Sequence, residues 1–246
     1  MIMGYKVFNV DELADYLHVS KENIEILVRR REIPFDQQGE RVVFRQKDID
    51  AWASHRILGF SHADLSDYHE ISSAKAHDLS AKHAIMPELI QASHIEPALK
   101  AKTKSSVIRA LVKLADQTEL LNYPDDLLVA VQEREQMCST ALAGGIALLH
   151  AKNHEPYMSE DTFIVLAKAA HPVPFGSPDG RTTDIFFLLC SQDDRIHLHL
   201  LARICMMCYH TSLLMELREA QDRESMLQIL INAEAEIIRD LRVPSS

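Results

Sequence analysis

Two short runs of uninterrupted apolar residues, Ile146-Ala-Leu-Leu149 and Ile185-Phe-Phe-Leu-Leu189, constrain the fold of this chain more than any other feature. Each has the length of a strand and no polar alternation, so each reads as a strand covered on both faces. Around them the apolar residues recur at helical spacing. Val107, Leu111 and Leu114 mark one helix, and Leu127, Leu128 and Val131 start another that continues into Arg134-Glu135. Arg218–Ile238 reads as an amphipathic helix near the C-terminus. Helices alternating with buried strands specify an α/β domain from Leu79 onward.

Residues 1–56 follow a different plan. Val10, Leu13, Ala14 and Leu17 form one helical stripe, His18-Val19-Ser20 interrupts it, and Ile24, Leu27 and Val28 resume it behind Ser20, a good N-cap. Arg41-Val-Val-Phe-Arg45 then reads as a strand of a small hairpin, and Asp48-Ile-Asp-Ala-Trp52 opens a further helix. Helix, turn, helix, hairpin and helix make a small winged helix-turn-helix domain. The polar stretch 57–78, with His62, His69 and His77, reads as a linker, which leaves 79–246 for the second domain.

Composition narrows the function classes. With 47% hydrophobic residues in 246, the chain has enough apolar surface for a core, which excludes a disordered or collagen-like protein. Only seven glycines are present, so a glycine-dense phosphate loop fits at one place at most, and Gly144-Gly145 is the only adjacent pair. The net charge of −10 argues against a chain coated in phosphate-neutralising cations. In the first 56 residues, however, nine Lys and Arg face ten Asp and Glu, so the acidity belongs to the second domain. The four cysteines lie among apolar residues, no secretory leader is visible, and no apolar run approaches the roughly 20 residues that span a bilayer. The expectation is a cytoplasmic protein with reduced thiols and no membrane insertion.

The first 56 residues resemble the excisionase-like and MerR-like small DNA-binding domains. The resemblance runs through Asn9–Ser20, Arg29-Arg-Arg-Glu-Ile-Pro34, Arg41–Arg45 and Asp48–Trp52. It implies DNA as a partner, contacted from Ser20, Lys21, Asn23, Arg29, Arg30 and Arg31 around the second helix and from Arg41 and Arg45 in the hairpin. Arg31 departs from the pattern, since the family usually carries Gly at that helix end. A single small module neutralises few phosphates, so a homodimer is expected for tight binding.

In the second domain, His150 leaves the end of the first buried strand, and His197 falls in the first turn of the helix after the second, where unpaired N–H groups favour an anion. Residues from about 79 to 240 resemble the mannitol/fructose and nitrogen-regulatory class of phosphotransferase-system enzyme IIA domains. The residues that carry this are Arg134-Glu135-Gln-Met-Cys-Ser139-Thr140, Gly145-Ile-Ala-Leu-Leu-His150, Pro174-Phe175, the strand at Asp184–Leu189, and His197-Leu-His199.

The resemblance implies a mixed sheet flanked by helices, with His150 phosphorylated by an HPr-type phosphocarrier and with His197 and Arg134 beside it. Gly145, Ser139 and Thr140 are expected in the phosphate environment. The family usually has Pro before the histidine and Gly after it, whereas this chain has Leu149 and Ala151. No cofactor is expected. No metal is expected either, because His197-x-His199 does not share a helix face and one Cys205-x-x-Cys208 lacks a second ligand pair. The leading expectation is a DNA-binding transcription regulator that senses phosphotransferase-system state through His150. The alternatives are a phosphocarrier serving a sugar permease component and an interaction protein that is never phosphorylated.

Overall fold

A computed structural model describes residues 7–17, 21–39, 41–46, 48–49, 52–53, 56, 84–192 and 194–240. Ser20, the turn around it and the linker expected over 57–78 lie outside these residues.

The N-terminal segment builds strand β1 (Val7–Phe8), helices α1 (Val10–Leu17) and α2 (Lys21–Arg30), and strands β2 (Asp36–Gln38) and β3 (Arg41–Arg45). Asn9 starts α1 through a reciprocal cap, its side chain accepting from Glu12 N–H while Glu12 accepts from Asn9 N–H. Beyond β3 the backbone is helical at Gln46, Asp48, Ile49, Trp52, Ala53 and Arg56. Phe8, Leu13, Leu17, Ile24, Phe44 and Ile49 are buried. Sequence periodicity missed β1, which is only two residues long and pairs antiparallel with β3, Phe8 opposite Phe44.

The second domain runs from α3 (Met86–Leu89) through β4 (Ile95–Leu99), α4 (Lys104–Asp116), α5 (Pro124–Met137), β5 (Ala141–Leu142), β6 (Ile146–His150), β7 (Phe163–Val173) and β8 (Thr183–Cys190) to α6 (Asp194–His210), α7 (Leu213–Glu219) and α8 (Arg223–Asp240). Its mixed sheet has the order β4-β7-β8-β6-β5, and β6 and β8 run parallel at its centre. The expected strands are β6 and β8. The long strand β7 escaped periodicity because Lys168 and His171 interrupt its apolar run.

Alternation divides the sheet into two faces. Ala147 and Leu149 pack into one core with α4 and α5, whereas Ile146 and Leu148 pack into the other with α6, α7 and α8. His150 continues the second set, which turns its ring toward the start of α6. The amphipathic stretch expected from Arg218 is two helices. The chain is extended at Ala220, and Asp222 caps α8 by accepting from Ser225 N–H and Oγ–H.

A buried ion pair joins the helices of the second core. Arg203 on α6 donates to Glu234 on α8 at 2.8 Å, and both side chains are inaccessible to solvent. Glu234 also accepts the backbone N–H groups of Ile85 and Met86 at the start of α3.

Candidate functional site

The site lies where the parallel strands β6 and β8 end, the usual place for ligands in open α/β sheets. His150 is the last residue of β6 and only 2% exposed. Its Nδ1 is 2.9 Å from the carbonyl of Leu148 and its Nε2 is 3.0 Å from Nε of Arg134. A carbonyl only accepts and a guanidinium only donates, so Nδ1 carries the proton and Nε2 presents its lone pair. Burial first, and then the charge of Arg134, hold the imidazole well below its usual pKa, so it is neutral at neutral pH.

Arg134 reaches the strand end from the last turn of α5, on the opposite face of the sheet. Its Nη1 donates to the carbonyl and sulfur of Cys138, which fixes the guanidinium, while Nη2 is buried and, among the described residues, has no hydrogen-bond partner. His197, in the first turn of α6, packs on His150 with ring centroids 4.5 Å apart. Both of its ring nitrogens are buried and, among the described residues, without a hydrogen-bond partner. Burial also lowers its pKa, helped by His154, His150 and Arg134. Native interiors rarely leave several polar groups unsatisfied together, and these surround one nucleophilic nitrogen.

A third imidazole completes the cluster and was not among the sequence expectations. His154, from the connection between β6 and β7, packs on His197 with a centroid separation of 4.0 Å and a tilt of 32°. Its position four residues beyond His150 was the only signal that it belongs here.

Of the other expected site residues, Gly145 lies elsewhere, whereas Ser139 and Thr140 stand behind Arg134, the Thr140 carbonyl accepting from Leu148 N–H. Gly145 lies in the turn just before β6, so the length of the strand, roughly 16 Å at 3.3 Å per residue, separates it from His150. Its positive φ of 85° and missing Cβ serve the Arg218–Asp184 pair, because a Cβ there would stand 2.7 Å from Nη2 of Arg218. The Ser139 hydroxyl donates to the Phe175 carbonyl, and Thr140 donates both N–H and hydroxyl to Glu135. Glu135 also takes Lys104 at 2.7 Å, so these groups brace the end of α5 behind Arg134. His199 and Cys205 are buried on α6, and burial pushes the Cys205 thiol up to about 12.

In the N-terminal domain, Lys21, Asn23, Arg29, Arg30 and Arg31 are exposed on and just after α2, and Arg41 and Arg45 are exposed on β3. Lys21 pairs with Asp11 and Arg45 with Asp36, each at 2.7 Å. Arg31 ends α2 in the left-handed conformation at φ 56°. Its N–H donates to the Val28 carbonyl and that of Glu32 to the Leu27 carbonyl, a Schellman closure made without glycine.

Comparison with known proteins agrees with this geometry. The family described as phosphoenolpyruvate-dependent sugar phosphotransferase system, EIIA 2, matches residues 88–233. The chain belongs to the EIIA 2 family. Residues 7–56 match a helix-turn-helix domain. A nitrogen regulatory protein of Bradyrhizobium diazoefficiens is 29% identical over 145 residues, which cover 58% of this chain and 92% of that protein.

The nitrogen regulatory protein IIA-Ntr of Neisseria meningitidis shares the fold with a TM-score of 0.54 at 22% identity, over 59% of this chain and 99% of its own. The mannitol IIA of Escherichia coli does so with a TM-score of 0.51 at 20% identity, over 57% and 98%. The helix-turn-helix domain suggests DNA binding, and the EIIA 2 domain suggests regulation linked to the phosphotransferase system. Among the described residues, no single helix is long and apolar enough to cross a membrane.

Proposed function

We propose that this protein is a cytoplasmic DNA-binding regulator whose EIIA 2 domain takes a phosphoryl group on Nε2 of His150. The observation that carries the reading is the state of that imidazole. It is neutral, held by Leu148 through Nδ1, and surrounded by unpartnered polar atoms of Arg134 and His197.

The donor is an HPr-type phosphohistidine protein. Its P–N bond breaks as Nε2 forms a new bond to phosphorus, and Nδ1–H stays on the Leu148 carbonyl throughout. Arg134 turns its Nε–H from the nitrogen lone pair to a phosphoryl oxygen, and its Nη2 meets another. Such positioning and charge stabilisation supply most of the catalysis in phosphoryl transfer. Domains over 1–56 and 79–246, joined through 57–78, put the DNA-binding surface and the phosphoryl site in one chain. A homodimer would double the number of phosphates that the Arg29–Arg31 cluster, Lys21, Arg41 and Arg45 neutralise.

Incubation of the full chain with phosphoenolpyruvate, enzyme I and an HPr-type carrier, followed by intact-mass measurement, tests the reading. One acid-labile phosphoryl group is expected, absent from His150→Ala. An unmodified wild-type chain, or an adduct that survives His150→Ala, refutes it. For DNA, Arg29→Ala and Arg30→Ala should each weaken binding and lower its salt slope by about one unit. No binding at low salt by the wild-type protein refutes the regulator.

A further inference from the structure

The third imidazole stands apart from the residues that the EIIA resemblance supplies, and its placement raises a question of charge. His150 keeps its Nδ1 proton on Leu148, so phosphorylation at Nε2 adds a group carrying nearly two negative charges at neutral pH. Arg134 offsets one of them. A buried pocket disfavours the remaining charge, and a proton taken up nearby would remove it. On the His150 side of the cluster the receiving imidazole is His197, which is 1% exposed and enclosed. Packed on the same ring is His154, which is half-buried where His197 is enclosed and whose charge also acts on His150.

Two imidazoliums at a centroid separation of 4.0 Å repel, so the two rings are placed to hold one proton between them rather than two. We infer that His154 and His197 form a proton-sharing pair that takes one proton from solvent when a tetrahedral oxyanion enters beside His150. His154 is the positioning residue of this pair, and it makes retention of the anion depend on pH. The inference rests on the oxyanion site of the proposed function. It does not require that the oxyanion be covalently transferred.

Among the described residues, charged and titratable groups face the pair from the strands and helices of the site. Arg134 faces it from α5 and His150 from β6. Glu155, Ser159, Cys190 and Ser191 line the depression beside His154 on the β6–β7 and β8–α6 sides. Burial pushes the Cys190 thiol up, so it carries no charge near neutrality. The proposal assigns proton uptake to the entering oxyanion, and Glu155 is the carboxylate that, among the described residues, lines the depression with His154.

Sulfate tests this, because its charge is constant between pH 5 and pH 8. Full-length protein with 15N-labelled histidines is titrated with sulfate at fixed ionic strength, following the imidazole resonances, and proton uptake is read by calorimetry in buffers of different ionisation enthalpy. Wild-type affinity should fall by up to about tenfold per pH unit above the midpoint, with uptake approaching about one proton per sulfate. His154→Gln removes the pair. His154→Phe keeps a ring on His197 and removes only the proton site. Both should lower uptake at least twofold and flatten the pH dependence.

Wild-type uptake and slope retained in His154→Phe would make His154 a packing residue and overturn the inference, as would a wild-type protein whose imidazoles ignore sulfate. Phosphorylation is scored separately by mass. A chain that takes no phosphoryl group but shows sulfate-linked uptake lost in both variants refutes the proposed transfer and keeps the pair. Normal phosphorylation with unchanged variants refutes the pair alone.

Discussion

Nε–H of Arg134 donates to Nε2 of His150 across 3.0 Å, so the guanidinium occupies the one lone pair on the ring that is free to attack. The resting site is thereby closed. The His150 imidazole is buried, neutral and hydrogen-bonded, and in the proposed transfer the cation that blocks it would receive the phosphoryl oxygens afterwards. The two residues reach each other from opposite faces of the sheet, β6 delivering one and the last turn of α5 the other. They meet at the last residue of β6.

The Arg134 charge is one cause of the low His150 pKa, after burial. Arg134→Gln should therefore raise the His150 pKa toward the ordinary histidine value, with burial still holding it below, as read from its imidazole resonances. The same change should slow phosphoryl acceptance by roughly 10²–10³-fold, the usual cost of losing one preorganised donor. A His150 titration unchanged in Arg134→Gln would show that the contact has no electrostatic weight.

Stability should fall in mild acid. His150 and His197 have folded pKa values well below the unfolded value near 6.5, so the unfolded chain binds more protons once the pH drops through that value. Their contribution is present above about pH 6.5 and is lost as the pH falls toward their folded values, at up to about 1.4 kcal/mol per pH unit for each histidine. Urea midpoints measured from pH 7.5 to pH 5.5 should decline, and His197→Phe should reduce the decline. An equally steep decline in His197→Phe would remove His197 from the account.

Glu234 carries more than its ion pair, since the same carboxylate receives Arg203 and the N–H groups of Ile85 and Met86. Glu234→Gln keeps the size but leaves the Arg203 charge buried without its carboxylate. Removing one partner of a buried pair costs about 3–5 kcal/mol, and the melting temperature should drop by roughly 10 °C. A drop within about 2 °C in a calorimetric scan would mean that the neighbouring dipoles already hold the charge.

Much of this was legible because apolar spacing reports burial directly. The uninterrupted runs at β6 and β8, the stripes of α4 and α5, and the two-helix start of the chain all arise from which side chains must leave water. His150 and His197 were legible as an exit from a strand and an entry to a helix. His154 was not, because Lys152-Asn-His-Glu155 has no period, and only tertiary folding of the β6–β7 connection brings its ring to α6. Gly145 misled for the converse reason. It adjoins the right strand at the wrong end, and its missing Cβ accommodates Arg218. Ser139 and Thr140 are polar near the site in sequence, yet the Phe175 carbonyl and Glu135 take up their hydroxyls.

Arg31 departs from its family pattern at a measurable cost. A non-glycine residue in the left-handed region is disfavoured by roughly 1–2 kcal/mol, and the closure around it needs only backbone groups, Arg31 N–H to Val28 and Glu32 N–H to Leu27. Arg31→Gly should therefore stabilise the N-terminal domain by about 0.5–1 kcal/mol, once the greater freedom of glycine in the unfolded chain is set against the relieved strain. Trp52, the only tryptophan, donates to the Glu32 carbonyl one residue beyond the turn, so its fluorescence in a urea titration reads the change locally. On the proposed DNA-binding reading, the same variant should lose about one unit of salt slope, the loss expected when one phosphate contact is removed. A lower urea midpoint would show that the Arg31 side chain stabilises the turn, and an unchanged salt slope would place it away from the DNA.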